Sequence, residues 1–169
     1  GAGFINDINA LQADGAMEAV LQLDVPVCLM HMQGEPGTMQ QDPVYENVTG
    51  EVKTFLGDRI TACIEAGLKQ DKLVIDPGFG FGKSVAHNLE LLRNLAQFKD
   101  FGLPILAGLS RKSLIGKLLA RPTKQRLAAS LALAVMAVQN GAAILRVHDV
   151  AETRDVIRMT AVVAGTEQI

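Results

Sequence analysis

Short apolar runs alternate with longer stretches of helical periodicity from one end of the chain to the other. Gly3 to Ile8 reads as a first strand, followed by a short helix near Gly15 to Leu23. Val25 to Met30 is a second strand, and a Gly/Pro/Gln-rich loop from Gln33 to Pro43 leads to a helix over Glu46 to Ala66, stopped by Gly67. Lys72 to Ile75 forms the third strand. In the helix over Val85 to Lys99 that comes next, Leu91, Leu95 and Phe98 recur at i, i+4 and i+7 and so mark one buried face. Pro104 to Gly108 is the fourth strand. Helices over Lys112 to Leu119 and Thr123 to Asn140 follow, with Thr123 as N-cap of the second. Ile144 to Val147 is the fifth strand, and a last helix covers Glu152 to Val163.

Five strands, each followed by helix, imply a parallel α/β sheet wound through right-handed crossovers. An open doubly wound sheet and part of a TIM (β/α)8 barrel both satisfy that order, and the strand ends separate them. Asn6-Asp7, His31, Asp76, Ser110-Arg111-Lys112 and Arg146 with His148 all fall at the C-terminal ends of apolar strands. That rim is where a β/α barrel assembles its active site. The expectation is therefore the last five β/α units of a TIM barrel, with the first three missing. Residues 1–169 would form one N-terminally truncated domain. The opening Gly1-Ala2-Gly3, with no methionine ahead of an almost immediate strand, suggests that either processing or truncation has removed an upstream part.

Composition narrows the function classes. The 169 residues are 49% hydrophobic and 20% charged, which suits one globular unit. A net charge of −2 offers no basic field, so nucleic acid is not an expected partner. Cys28 and Cys63, the only cysteines, sit in apolar segments and suggest buried reduced thiols in a cytoplasmic protein, not a disulfide framework. The longest near-apolar run, Leu127 to Val138, falls short of the roughly 20 residues of a membrane span, so a soluble protein is expected.

The glycine-rich segment Asp76-Pro77-Gly78-Phe79-Gly80-Phe81-Gly82-Lys83 resembles a nucleotide loop only superficially. A Walker A loop requires glycine where Pro77 stands, and the dinucleotide pattern meets Lys83 or Val85 at its third glycine. The segment instead offers an acid at the end of a buried strand and two phenylalanines with little local cover. Asp76 can cap the following loop, or it can accept paired hydrogen bonds from a heterocycle beside an aromatic wall. Ser110-Arg111-Lys112-Ser113 opens a helix, where free N–H groups and an ammonium favour an anion. Arg146 and His148 lie two apart, on one side of the fifth strand, and a cation there is costly unless paired. Cys28-x-x-His31 lacks a second ligand pair for zinc. His87 reads as a surface or packed histidine, and Met30 as a pocket wall or core filler.

Together these segments resemble the dihydropteroate synthase family. The matching pieces are Ile5-Asn6-Asp7-Ile8, Cys28-Leu29-Met30-His31-Met32, Asp76 through Lys83, Gly108-Leu109-Ser110-Arg111-Lys112-Ser113 and Arg146-Val147-His148-Asp149-Val150, in family order over essentially the whole chain. The resemblance implies condensation of (7,8-dihydropterin-6-yl)methyl diphosphate with 4-aminobenzoate. Asn6 and Asp76 would bind the pterin's amide and amino edge, Lys112 its ring oxygen and nitrogen, and Met30 its face. Arg146 and His148 would hold the diphosphate. Phe81, Lys112 and Ser113 would floor the 4-aminobenzoate site, with Gly108 and Val147 in the same substrate-binding set. Lys112, Arg146 and His148 would be the catalytic residues. Mg²⁺ is the implied cofactor, its protein ligand lying in the missing part, and a homodimer through the Leu127 to Val138 helix is the implied assembly. The rivals are a pterin-binding barrel moving a methyl group from a folate to a corrinoid protein, and a non-catalytic pterin-binding remnant. The fragment alone is expected to be inactive.

Overall fold

The computed structural model describes residues 1–39 and 41–166. Its five strands are β1 (Ile5–Asp7), β2 (Val27–Met30), β3 (Leu73–Asp76), β4 (Ile105–Ala107) and β5 (Ala142–Leu145). They form one parallel sheet in the order β1-β2-β3-β4-β5. The α-helices are α1 (Ala16–Leu23), α2 (Val48–Glu65), α3 (Val85–Arg93), α4 (Ser113–Leu119), α5 (Leu127–Gln139) and α6 (Val150–Val163). Sequential strand order, without the reversal of a doubly wound sheet, is barrel winding.

Strand side chains alternate between two faces. Val27, Leu29, Leu73, Ile75, Ile105 and Ala107 point into the main core, where they meet Val52, Leu56 and Ile60 of α2, Leu91 of α3 and Ile115 of α4. Cys28, Val74 and Leu106 form a second small cluster with Ile144 on the opposite face. Every residue of β2 and β3 is buried, as expected of central parallel strands covered on both sides. Each fully buried Leu, Ile or Val there stabilises the fold by roughly 1.5–3 kcal/mol.

Boundaries depart from the pattern where local chemistry intervenes. α3 opens with a reciprocal cap: Ser84 Oγ accepts from His87 N–H, and His87 Nδ1 accepts from Ser84 N–H. The expected surface or packed histidine is thus a capping residue. The helix stops at Arg93 because the Asn94 amide turns back to the Glu90 carbonyl, and the chain continues as a 3-10 helix over Leu95–Phe101. Leu91, Leu95 and Phe98 are nonetheless fully buried. Thr123 caps no long helix: Thr123–Gln125 is a separate 3-10 turn, and Arg126 precedes α5. β5 ends at Leu145, so Arg146 and His148 stand past the strand and not within it. Ile105 pairs with Ala142 but Leu106 with Ile144, leaving Ala143 as an extra residue. That bulge returns Ile144 to the Cys28 face and aims Arg146 the same way. Among the described residues, no helix is long and apolar enough to cross a membrane.

Candidate functional site

Asp76 ends β3 with 1% exposure. Its Oδ1 accepts the Gly78 N–H at 2.7 Å, while Oδ2 has no hydrogen-bond partner. The nearest cation is Arg146, whose Nη2 lies 3.7 Å from Oδ2. A buried carboxylate oxygen left without a partner is costly unless a ligand completes it.

The loop after Asp76 is pressed against the end of β2. Gly78 and Gly82 both adopt left-handed backbone (φ +74° and +59°), and a Cβ on them would collide with the carbonyls of His31 and Gln33. Only glycine permits that approach. Lys83 Nζ sits beneath, donating to the carbonyls of Gly78 and Phe81 at 3.0 Å each and meeting His31 Nδ1 at 2.9 Å. Asn88 accepts from Gly80 N–H and donates to the carbonyls of Lys83 and Ser84. Tyr45 donates its hydroxyl to the Gly82 carbonyl at 2.8 Å. Phe79 is buried in the core, whereas Phe81 is half-buried and takes the Lys112 ammonium 4.4 Å from its ring centre. That distance suits a cation–π contact.

The turn after β4 is held by α5 and by the end of β5. Arg111 adopts φ +55°, unusual for a non-glycine residue. Its N–H donates to Ser130 Oγ at 3.0 Å, and Arg126 Nη1 donates to its carbonyl at 3.0 Å and to that of Lys112 at 3.3 Å. The Arg111 guanidinium pairs with both oxygens of Asp149 and holds that carboxyl below its usual range. Ser110 Oγ accepts from His148 N–H at 3.2 Å and lies 3.1 Å from its Nδ1. Gly108, Ser110, Lys112, Arg146, Val147 and His148 then line a cavity of about 240 Å³. A Cβ on Gly108 would sit 3.0 Å from Arg146 Nη2, so the bare glycine leaves the guanidinium its place.

Burial pushes the Asp76 carboxyl up, against the Gly78 N–H and the charges of Arg146, Lys112 and Lys83. Burial lowers Lys112, and Arg146 lowers it further while Asp76 opposes. Lys83 is pushed down to about 7 by burial, with Asp76 pulling it back, and His31 down to about 3 by burial and the Lys83 charge. Burial also raises the Cys28 thiol, a shift that keeps it unreactive. The arrangement joins one deep acceptor to a lysine and an arginine at the cavity mouth. It can grip a flat donor-bearing heterocycle at the bottom and an anion at the rim.

Of the residues singled out in the sequence, Gly108, Lys112, Arg146, Val147 and His148 line the cavity, with Asp76 and Phe81 touching its cations. Met30 is fully buried and pairs in register with Asp76, on the same face. Asn6 pairs with Cys28, one layer lower on an outer strand, and is exposed. Ser113 begins α4, exposed and outside the cavity lining. The sequence reading missed Lys83, Ser110 and Asp149 as supports, and Arg126 and Ser130 with them. A lysine after three alternating glycines was the available signal for Lys83. The described residues contain no group of three His, Cys, Asp or Glu side chains that could hold a metal.

The chain matches the family model described as pterin binding enzyme over residues 1–148. It is 55% identical over 159 residues to a dihydropteroate synthase of Haemophilus influenzae, covering 94% of this chain and 58% of that protein. It superposes on the Yersinia pestis dihydropteroate synthase with a sulfonamide drug complex at a TM-score of 0.96 and 46% identity, covering 99% of this chain and 61% of that one. A Xanthomonas albilineans dihydropteroate synthase in complex with 7,8-dihydropteroate gives 0.91 and 48%, covering 97% and 60%. The chain thus spans less than two thirds of the length of these relatives.

Proposed function

The chain belongs to the family of pterin binding enzymes, and from that premise we propose that it carries the pterin and diphosphate side of a dihydropteroate synthase centre. The observation that carries this reading is the unpartnered, buried Asp76 Oδ2, 3.7 Å from Arg146 Nη2 of the cavity lining and within the field of Lys112. A carboxylate matches the paired N–H donors of a 2-amino-4-oxo pterin, and the Lys112 ammonium matches its ring acceptors. Met30 packs on the ring and Asn6 adds to its polar edge. Phe81, Lys112 and Ser113 floor the 4-aminobenzoate site.

In the reaction the bond between the pterin methylene carbon and the diphosphate oxygen breaks. The aniline nitrogen of 4-aminobenzoate bonds to that carbon and loses one proton. Negative charge grows on the departing diphosphate, where Arg146 and His148 stabilise the transition state more than the ground state. Ser110 fixes the His148 ring, and Gly108 leaves space for Arg146. Mg²⁺ is proposed to accompany the diphosphate, although the described residues do not by themselves fit the ion, and no step here runs through it.

We place the enzyme in the cytoplasm, in keeping with two free buried thiols. Residues 1–169 are read as one pterin-binding domain. Within the described residues β1 and β5 each pair on one side only, and open edges of this kind favour association over independent function; the chain alone is proposed to be inactive. α5 buries only Ser130, Ala134 and Ala137, and an apolar groove runs past Leu118, Leu119 and Met136. A second copy covering that groove is the proposed assembly, which sedimentation of the intact protein tests. Methyl transfer from a folate would use Asp76 equally, but has no need of Arg146 and His148.

The deciding assay is 4-aminobenzoate-dependent pyrophosphate release from the dihydropterin-methyl diphosphate, using the intact gene product with and without Mg²⁺. Release that Lys112→Ala abolishes is the expected result. No release from a well-folded protein would transfer the reading to methyl transfer or to binding alone.

A further inference from the structure

Lys83 is 2% exposed and lies outside the substrate cavity. Besides the Gly78 and Phe81 carbonyls and His31 Nδ1, its Nζ reaches the His31 carbonyl at 3.4 Å. An ammonium has three donors, so these four acceptors saturate it. With Lys83 charged, His31 Nδ1 is the acceptor, and the proton of the neutral ring sits on Nε2. The acceptors come from two segments, the end of β2 and the loop after β3. His31 N–H also donates to the Asp76 carbonyl at 3.0 Å, tying the same segments together from the other side.

Burying an ammonium this deeply is costly even when it is hydrogen-bonded, and an apolar residue would fill the space more cheaply. What an apolar residue cannot do is hold carbonyls. The pinned loop carries three glycines at positive φ and little side-chain cover of its own. Two features of the site depend on its position. Gly78 N–H holds Asp76 Oδ1. Gly80 and Phe81 form a ledge for Lys112: a Cβ on Gly80 would stand 3.2 Å from Lys112 Cδ, and the ammonium lies over the Phe81 ring.

We propose that Lys83 is a positioning residue for the transfer reaction: by fastening the Gly78 and Phe81 carbonyls to the end of β2, it sets the ledge from which Lys112 and Asp76 address the substrates. The proposal rests on the dihydropteroate synthase reading of the site and gives this buried cation a role that touches no substrate.

The test uses the intact gene product with two variants. Lys83→Met keeps the stem and removes the donors. Tyr45→Phe removes only the hydrogen bond on the neighbouring Gly82 carbonyl and leaves the buried charge alone. Lys83→Met is expected to raise KM for 4-aminobenzoate and lower kcat/KM by roughly ten- to hundredfold, since small misplacements of binding groups have effects of that order. Hydrogen exchange at the Gly80 and Phe81 amides should accelerate with it, and Tyr45→Phe should shift KM the same way by a smaller factor. An unchanged KM, with kcat falling only as the folded fraction falls, would overturn the proposal and leave Lys83 a purely structural group. If Lys83→Met does not fold, Tyr45→Phe decides: a raised KM supports the staple and an unaltered one overturns it. If the wild-type protein releases no pyrophosphate, the reaction reading fails and amide exchange decides the staple separately. Acceleration confined to the loop supports it, and uniform or absent acceleration sinks it.

Discussion

The turn after β3 and the turn after β4 each bring charge to the cavity, the first held from beneath by a buried ammonium and the second from outside by helix α5 and an ion pair. In the first, the buried Lys83 and Asn88 and the half-buried Tyr45 supply hydrogen bonds to a chain rich in glycine. In the second, Arg126, Ser130 and the partly exposed Arg111–Asp149 pair grip a strained arginine backbone. The deep turn presents a carboxylate whose burial makes ionisation costly. The outer turn and the strand end beyond it present cations that solvent can reach, with the Arg146 side chain 42% exposed. Rigid depth suits recognition of a flat ring, whereas an open cationic mouth suits an anion that must arrive and leave.

The largest separation between the two regions should come from Asp76→Asn. The amide keeps an acceptor for Gly78 but puts donors against the donors of the pterin, so kcat/KM should fall roughly hundredfold or more. Thermal stability should hold or rise, because a neutral group suits the buried site. A variant as active as wild type would remove Asp76 from recognition.

Next in size is an acid effect confined to the deep region. The folded state holds His31 near 3, below its ordinary 6.5, so between those values the unfolded chain binds more protons than the folded one. The His31 contribution to stability therefore rises with pH across that window and is lost on acidification, by about 2 kcal/mol between about pH 7 and pH 5. Urea titrations of the intact protein and of His31→Gln at those two values measure it as the difference between the two, and parallel profiles would mean that His31 titrates normally.

Arg146→Met probes the outer region. KM for the pterin diphosphate should rise about tenfold, with a modest fall in melting temperature because buried Asp76 loses its nearest cation. Asp76 would lose a charge that lowers its pKa, so the acid limb of pterin binding should move to higher pH. Calorimetric titration over pH would show an unmoved limb if the two groups were uncoupled.

Ser130→Ala should give the smallest change, about 1 kcal/mol of stability for one buried hydrogen-bonding hydroxyl. The Arg111 N–H and the Arg126 carbonyl both lose a partner. Differential scanning of the variant checks it, and a loss several times larger would mean that the outer turn is held as firmly as the deep one.

Strand number, order of elements and the polar rim were legible in the chain because they depend on local periodicity. Apolar runs such as Leu73–Asp76 and the Leu91/Leu95/Phe98 stripe declare their burial without knowing their neighbours. The acid ending β3 and the cations after β4 and β5 stood out because polar chemistry closing an apolar strand is rarely idle. Less legible were the places where a side chain answers a distant segment. Asn94 ends α3 early and the extra Ala143 resets the face of β5.

The parallel β/α winding, the family resemblance and most of the residues that line the cavity could thus be read from the chain alone, since apolar periodicity locates each strand and the polar residues just beyond it share one rim. Packing of distant segments is what leaves one Asp76 oxygen without a partner, brings Lys83 to His31, 52 positions away, and sets Ser130 of α5 against Arg111. Those contacts depend on the distance between segments remote in the chain, and no local pattern of hydrophobic and polar positions encodes that distance.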